Sequence, residues 1–137
     1  MVAEREGAQL PLIDASQVLV QNVALEIAER SAGVKYPAVY VYCEGLTNNL
    51  KEKFLTFSGQ AHMAVEVRVS HDRIEGVMDK LQLYSAAATD VLDGSRGDWG
   101  AGMFYTGGYT VQFEPTKRGG KNFLQTAKIK FDVEMSY

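Results

Sequence analysis

MFYTGGYTVQFEPTKRGGKNFLQTAKIKFDVEMSY, residues 103–137, is the stretch against which the other segments can be placed. Tyr109, Val111 and Phe113 alternate with Thr110, Gln112 and Glu114. Ala127, Ile129, Phe131, Val133 and Met135 alternate with Lys128, Lys130, Asp132, Glu134 and Ser136. A side-chain period of two gives each run one dry and one wet face. Pro115 ends the first run because it removes a ladder donor, and Gly119 and Gly120 fall in the turn stretch from Thr116 to Asn122. The two runs predict one long β-hairpin. Lys117, Arg118, Lys121, Lys128 and Lys130 lie between Pro115 and Phe131 with no acid among them, so the hairpin tip is positive. No residue of the stretch is an obvious catalyst.

Immediately upstream, Ser95 to Gly102 reads SRGDWGAG, a glycine-rich loop holding the only tryptophan. Before it, Ile74, Val77, Met78, Leu81, Tyr84, Ala88, Val91 and Leu92 form a stripe at helical spacing, with Ser70 or Asp72 available as its cap and Asp93-Gly94 as its end. Ala61 to Ser70 predicts a strand with Met63, Val65, Val67 and Val69 facing in. Gly45 to Gln60 is a long connection bearing Leu46, Leu50, Phe54 and Phe57, and connections of that length usually make contacts or carry function. Ala38 to Glu44, introduced by Pro37, is a strand bulky on both faces: Val39, Val41 and Cys43 on one, Tyr40 and Tyr42 on the other. It is therefore expected to be central or covered on both sides.

Asp14 or Ser16 can cap a helix running to about Ala32, closed by Gly33. Leu19, Val23 and Ile27 face its core, while Val18 and Leu25 form a second apolar strip, to be covered by this chain or by another subunit. Residues 1–13 predict a flexible arm, leaving 14–137 as a single domain. The order α-β-β-α-β-β predicts an α+β fold: a mixed or mainly antiparallel four-stranded sheet, two helices packed on one face, and the long C-terminal β-hairpin.

At 137 residues one domain with a real core is expected, and 46% hydrophobic and 23% charged residues are ordinary for a soluble globular chain. A net charge of -3 argues against a chain built globally for nucleic acid or anionic membranes. The single cysteine, Cys43, is expected to be a small buried hydrophobe and makes no internal disulfide. No apolar run approaches the ~20 residues of a membrane span. The opening segment lacks a signal-peptide core, so synthesis in the cytosol is expected.

Signals for chemistry are sparse. His62 and His71 have no metal-ligand spacing and read as structural or surface residues. The loop around Gly94 to Gly102 lacks the phosphate-loop pattern and stands between a helix and a strand, the wrong order. Arg96, Asp98 and Trp99 suit either a partner-binding loop or a cover over the end of the core. Lys117, Arg118 and Lys121 suit either phosphate contacts or a solvated turn. These signals favour a binding or structural domain over an enzyme, with no cofactor and no metal.

With that element order, and with the stretches KYPAVYVYCEG, FSGQAHMAVEVRVSHDRIEGVM, VLDGSRGDWGAGMFYTGGY and NFLQTAKIKFDVEMSY, the chain resembles the tail terminator (tail completion, neck) proteins of long-tailed bacteriophages over residues 14–137. The resemblance implies a homohexameric ring in the virion, assembled in the bacterial cytoplasm. The ring caps the head-proximal end of the tail tube, stops tail polymerisation and joins the tail to the capsid neck. DNA passes through the lumen without specific binding, and no membrane is involved. The family has no catalytic signature, so no motif residue is carried across. A closed ring uses a head-to-tail contact between two different surfaces. Val18, Leu25, Tyr40, Tyr42, Leu50, Phe54 and Phe57 are the candidate subunit interface, and Arg96, Asp98, Trp99, Lys117, Arg118 and Lys121 the candidate partner-binding loops. The alternatives are a small oligomeric ligand-binding protein or enzyme, with Tyr40, Tyr42, Glu66 and Arg68 lining a pocket between sheet and helices, and a neck or tube component of the same particle.

Overall fold

The computed structural model describes residues 36–50, 54, 56–119 and 121–137, together with short strands at 4–5, 8–9 and 18–19. Strands β1 (Glu4–Arg5) and β2 (Ala8–Gln9) pair antiparallel as a two-stranded sheet. Among the described residues the main sheet has eight strands. It contains β3 (Val18–Leu19), β4 (Ala38–Asn48), β5 (Ser58–His71), β6 (Gly97–Gly100), β7 (Met103–Tyr105), β8 (Thr110–Phe113), β9 (Lys117–Gly119) and β10 (Asn122–Ser136). Helix α1 (Ile74–Asp93) is the only helix among the described residues.

The expected four-stranded sheet under two helices is therefore corrected, among the described residues, to a mostly antiparallel, eight-stranded sheet with one helix. Three physical effects separate the two. First, Val18 and Leu19, read as helical, are extended and pair parallel with Val39 and Tyr40; the rest of that expected helix, Leu25 included, lies outside the described residues. An apolar i, i+4 spacing does not exclude a strand where a neighbouring strand offers pairing. Second, β4 does not end at Glu44. A register shift between Cys43 and Gly45 absorbs one residue, and pairing with β5 resumes through Asn48 opposite Gly59. Third, Gly97–Gly100, read as loop, forms a ladder with β7.

The hairpin around which the chain was placed is centred on β10. On one side β10 pairs with β5 from Phe123↔His71 to Ser136↔Ser58. On the other it pairs in succession with β9 at Asn122–Leu124, β8 at Ala127–Lys130 and β7 at Glu134–Met135. Pro115, without an N–H, falls in the gap between β8 and β9. Three strand pieces in succession thus line most of β10.

The register dictates two faces. Val39, Val65, Val67, Val69, Ala127, Ile129, Phe131 and Val133 point to one side, where Val77, Leu81, Tyr84, Ala87, Ala88 and Leu92 of α1 close the core. Met78, Val91 and Ile74, read as part of the buried stripe, are exposed on the helix. The expected cap by Ser70 or Asp72 is also corrected. Arg73 occupies the N-cap without a side-chain cap, and its N–H donates to His71 Nδ1 at 3.0 Å. The opposite face of the sheet carries Tyr40, Tyr42, His62, Glu66, Arg68, Lys128, Lys130 and Asp132, and it presents the polar groups considered next.

Candidate functional site

Antiparallel register brings Tyr40 opposite Glu66 and Glu66 opposite Lys128, and Gly45 opposite His62 and His62 opposite Asp132. Residues far apart in the chain thus meet on the polar face of β4, β5 and β10. Towards the β3 end this face is closed: Tyr40 is 1%, Arg68 3% and Glu66 9% exposed. The Arg68 guanidinium lies 4.1 Å from the centre of the Tyr40 ring and donates to Glu66 Oε2 at 3.4 Å. Tyr42 donates to the same carboxylate oxygen at 2.7 Å. The Tyr42 phenol is pushed up to about 12, first by burial, then by its hydrogen bond to Glu66 and the repulsion between that carboxylate and a phenolate. A buried ion pair of this kind is held by its extra hydrogen bonds and ring contact, since Coulomb attraction alone barely offsets desolvation.

Past Tyr42 the face opens. Lys128 pairs with Glu44, and Lys130 Nζ lies 3.9 Å from the other oxygen of that carboxylate. Burial opposes charge on Lys128, but the hydrogen bond to Glu44 outweighs it and raises the ammonium above its ordinary value. Next along the strands, His62 Nδ1 lies 2.7 Å from Asp132 Oδ1, and His62 Nε2 lies 2.6 Å from Thr47 Oγ1. A carboxylate only accepts, so Nδ1 of the neutral ring carries the hydrogen, and Nε2 accepts from the threonine hydroxyl. Beside Asp132 runs an open groove of ≈ 350 Å³, lined also by Gln60, Tyr109, Thr110, Lys130 and Glu134. No group of three or more His, Cys, Asp or Glu among the described residues is arranged to hold a metal ion.

The residues singled out in the sequence fall into separate places. Tyr40 and Phe57 are buried within the chain, Phe57 stacked on Tyr137 at 5.4 Å, so neither ring offers a surface to a second subunit. Tyr42 is half-buried and occupied by Glu66. Val18 lies in β3, and Leu25 lies outside the described residues. Leu50 and Phe54 are exposed in the β4–β5 connection, and Leu46 of β4 is exposed as well. Tyr40, Glu66 and Arg68 are packed shut. Cys43 is exposed and not the buried hydrophobe expected: it sits at the register shift, where its Sγ is 3.3 Å from the Gly45 oxygen.

Trp99 lies over the end of the core, 5.6 Å from Tyr105 and 6.5 Å from Phe131, and its Nε1 donates to the Ser95 oxygen at 2.6 Å. It keeps 41% of its surface exposed. Asp98 accepts from the Gly100 N–H at 2.7 Å, and Arg96 lies 3.6 Å from Asp93. Lys117, Arg118 and Lys121 are exposed at the far end of β10, where Arg118 stands 5.9 Å from the centre of the Phe123 ring.

The sequence reading missed the Thr47–His62–Asp132 contact. Alternation places His62 and Asp132 on wet faces, but the histidine finds its partners only through the β4–β5–β10 register, which no local pattern supplies. No family model, curated protein or solved structure matches the chain.

Proposed function

We propose that the chain is a structural subunit of a long-tailed phage virion. In this reading it forms a ring that caps the head-proximal end of the tail tube, stops its growth and joins it to the neck. One observation carries the proposal. Exposed large apolar side chains stand on both sides of the β5–β10 pair: Leu46, Leu50 and Phe54 on β4 and its connection, and Trp99, Phe104, Tyr109 and Phe113 beyond β10, where Phe113 lies on the helix-bearing face opposite Ala127 and Phe104 on the polar face opposite Glu134. Large apolar side chains left exposed are candidates for association surfaces. Two different surfaces on opposite sides of a subunit make a head-to-tail contact, which closes into a ring when the rotation allows. The number six comes from the resemblance to tail terminators.

The partner-facing parts of the reading are the basic tip at Lys117, Arg118 and Lys121 and the Arg96–Trp99 segment, both at the surface. Light scattering at micromolar concentration, alone and with tail tubes, together with negative-stain images, tests the proposal. Rings, or tubes closed at one end by added density, are the expected outcome. A chain that stays monomeric and leaves tube ends bare would end it.

A further inference from the structure

Thr47, His62 and Asp132 stand in the order hydroxyl, imidazole, carboxylate, at 2.6 Å and 2.7 Å, on the open part of the polar face. We propose that these three residues form a nucleophile–base relay that takes an acyl group from small carboxylic esters, an activity beyond the ring-forming role. The arrangement is the one by which unrelated folds activate a hydroxyl: a base within hydrogen-bond reach of the nucleophile, itself oriented by a third group. Three features of this chain support it.

The three residues lie on three adjacent strands. His62 is directly opposite Asp132 on one side and Gly45 on the other, and Thr47 lies two residues beyond Gly45. Strand positions hold such a set more rigidly than loop positions do. The hydroxyl is also accessible, since Thr47 is exposed and its hydrogen bond to His62 lies at the surface. Finally, Gln60 is paired opposite Thr47 and lines both the ≈ 350 Å³ groove beside Asp132 and a smaller one of ≈ 170 Å³ near Asn49 and Ser136. Its side-chain amide is of the type that donates to a developing oxyanion.

In the first half-reaction Thr47 Oγ1 attacks the ester carbonyl carbon, and its proton passes to His62 Nε2. The bond from that carbon to the alcohol oxygen breaks, and the leaving alkoxide takes the proton back from Nε2. Water then attacks the acyl-threonine with His62 again as the base, which releases the acid and restores the hydroxyl. Thr47 and His62 are the catalytic residues. Asp132 is a positioning residue, because it holds the hydrogen on Nδ1 and leaves Nε2 free to accept.

The probe is p-nitrophenyl acetate, used on the full chain carrying Cys43→Ala, since Cys43 is an exposed free thiol able to react on its own account. Peptide mass spectrometry reads acetylation at Thr47. Loss of the general base in His62→Gln is expected to slow labelling of Thr47 on the order of 100-fold. Thr47→Ser is expected to keep the label at residue 47. Asp132→Asn is expected to displace the pH profile of labelling, which a purely structural role would not do. The parent chain unfolded in urea supplies the reference reactivity and does not depend on any variant folding. Three results overturn the proposal: no acetyl group at residue 47, equal labelling in urea, or equal labelling in folded His62→Gln.

Discussion

At the scale of the residue, Phe131 shows how closely local pattern and packing agree. It lies on the dry face of β10, buried, with Tyr105 at 5.4 Å and Trp99 at 6.5 Å. Phe131→Ala is expected to cost about 3–5 kcal/mol, the range for removing a large ring from a closed core. Lys130→Ala, next door on the wet face, is expected to change stability by less than about 0.5 kcal/mol, because its pairing with Glu44 is long and exposed. Urea midpoints compare the two, and similar midpoints would overturn the register. Tyr42 makes a second residue-scale test. Its phenol is raised from 10.0 to about 12 by burial and by Glu66, so the folded chain keeps a proton that the unfolded chain releases. The stabilisation from this phenol is complete below about pH 10 and is lost as pH climbs towards about 12. Tyr84 and Tyr105, raised by burial, and Lys128, raised by its hydrogen bond to Glu44, act in the same direction. Tyr42→Phe should therefore lessen the alkaline loss without abolishing it. Denaturant midpoints at about pH 9 and about pH 11.5 measure the effect, and equal losses in both proteins would remove Tyr42 from the account. Alternation made the burial of Phe131 legible in the sequence. It could not show that Tyr42 donates to Glu66, because that contact depends on which residue of β5 lies beside β4.

At the scale of the element, the alternation of β10 was legible, the expected dry face of Tyr109, Val111 and Phe113 was not, since Tyr109 and Phe113 are exposed, and interrupted strands were hidden. The dry side of β10, Ala127, Ile129, Phe131 and Val133, is buried as its pattern requires. The extension of β4 past Cys43 was hidden because one inserted residue shifts the alternation, and β6 was hidden because glycines bracket it. At the basic tip, Lys117 and Arg118 were read as turn residues but form β9, paired with Leu124 and Phe123. Backbone pairing survives a change of side chain, and exposed charges contribute little to folding. Replacing Lys117, Arg118 and Lys121 together with serine is thus expected to leave the melting temperature nearly unchanged. If the tip meets an acidic or phosphate-bearing neck or tube surface, the same variant weakens the joint, and the wild-type joint loosens as salt rises. Particle yield from a phage lacking this protein and supplied with the triple variant reads the effect. Normal yield with a salt-indifferent joint would leave the three residues as solubilising charges, and a collapsed melting temperature would show that they hold β9 in place.

At the scale of the whole molecule, the sequence indicated surplus apolar surface but not where it would lie, because edges exist only once strand order is set. Of the seven expected interface residues, Tyr40 and Phe57 turn inward, whereas Leu50 and Phe54 remain outside and are joined by Leu46. The exposed residues on the other side, Phe104, Tyr109 and Phe113, were read as part of the hairpin and not as a surface, and Phe104 and Phe113 lie on opposite faces of the sheet. If these edges form one heterologous contact, each copy uses both, and that makes a distinctive prediction. Leu46→Ser with Phe54→Ser disables one edge, and Phe104→Ser with Phe113→Ser disables the other. Substitutions at exposed sites should shift folding stability by only about 0.5 kcal/mol each, so melting curves should stay close to wild type. Neither double variant alone should assemble, because every contact needs both edges. Mixed together, each variant brings the edge that the other lacks, so a single good contact forms and growth stops there. The mixture should therefore yield a dimer of one copy of each variant, and mass photometry with one variant carrying a mass tag reads it. An isologous contact predicts something else: a variant mutated at the shared patch stays monomeric in the mixture, while the other keeps its own homodimer. Hetero-dimers from the mixture, with monomers from each variant alone, are the outcome that the two-edge geometry requires.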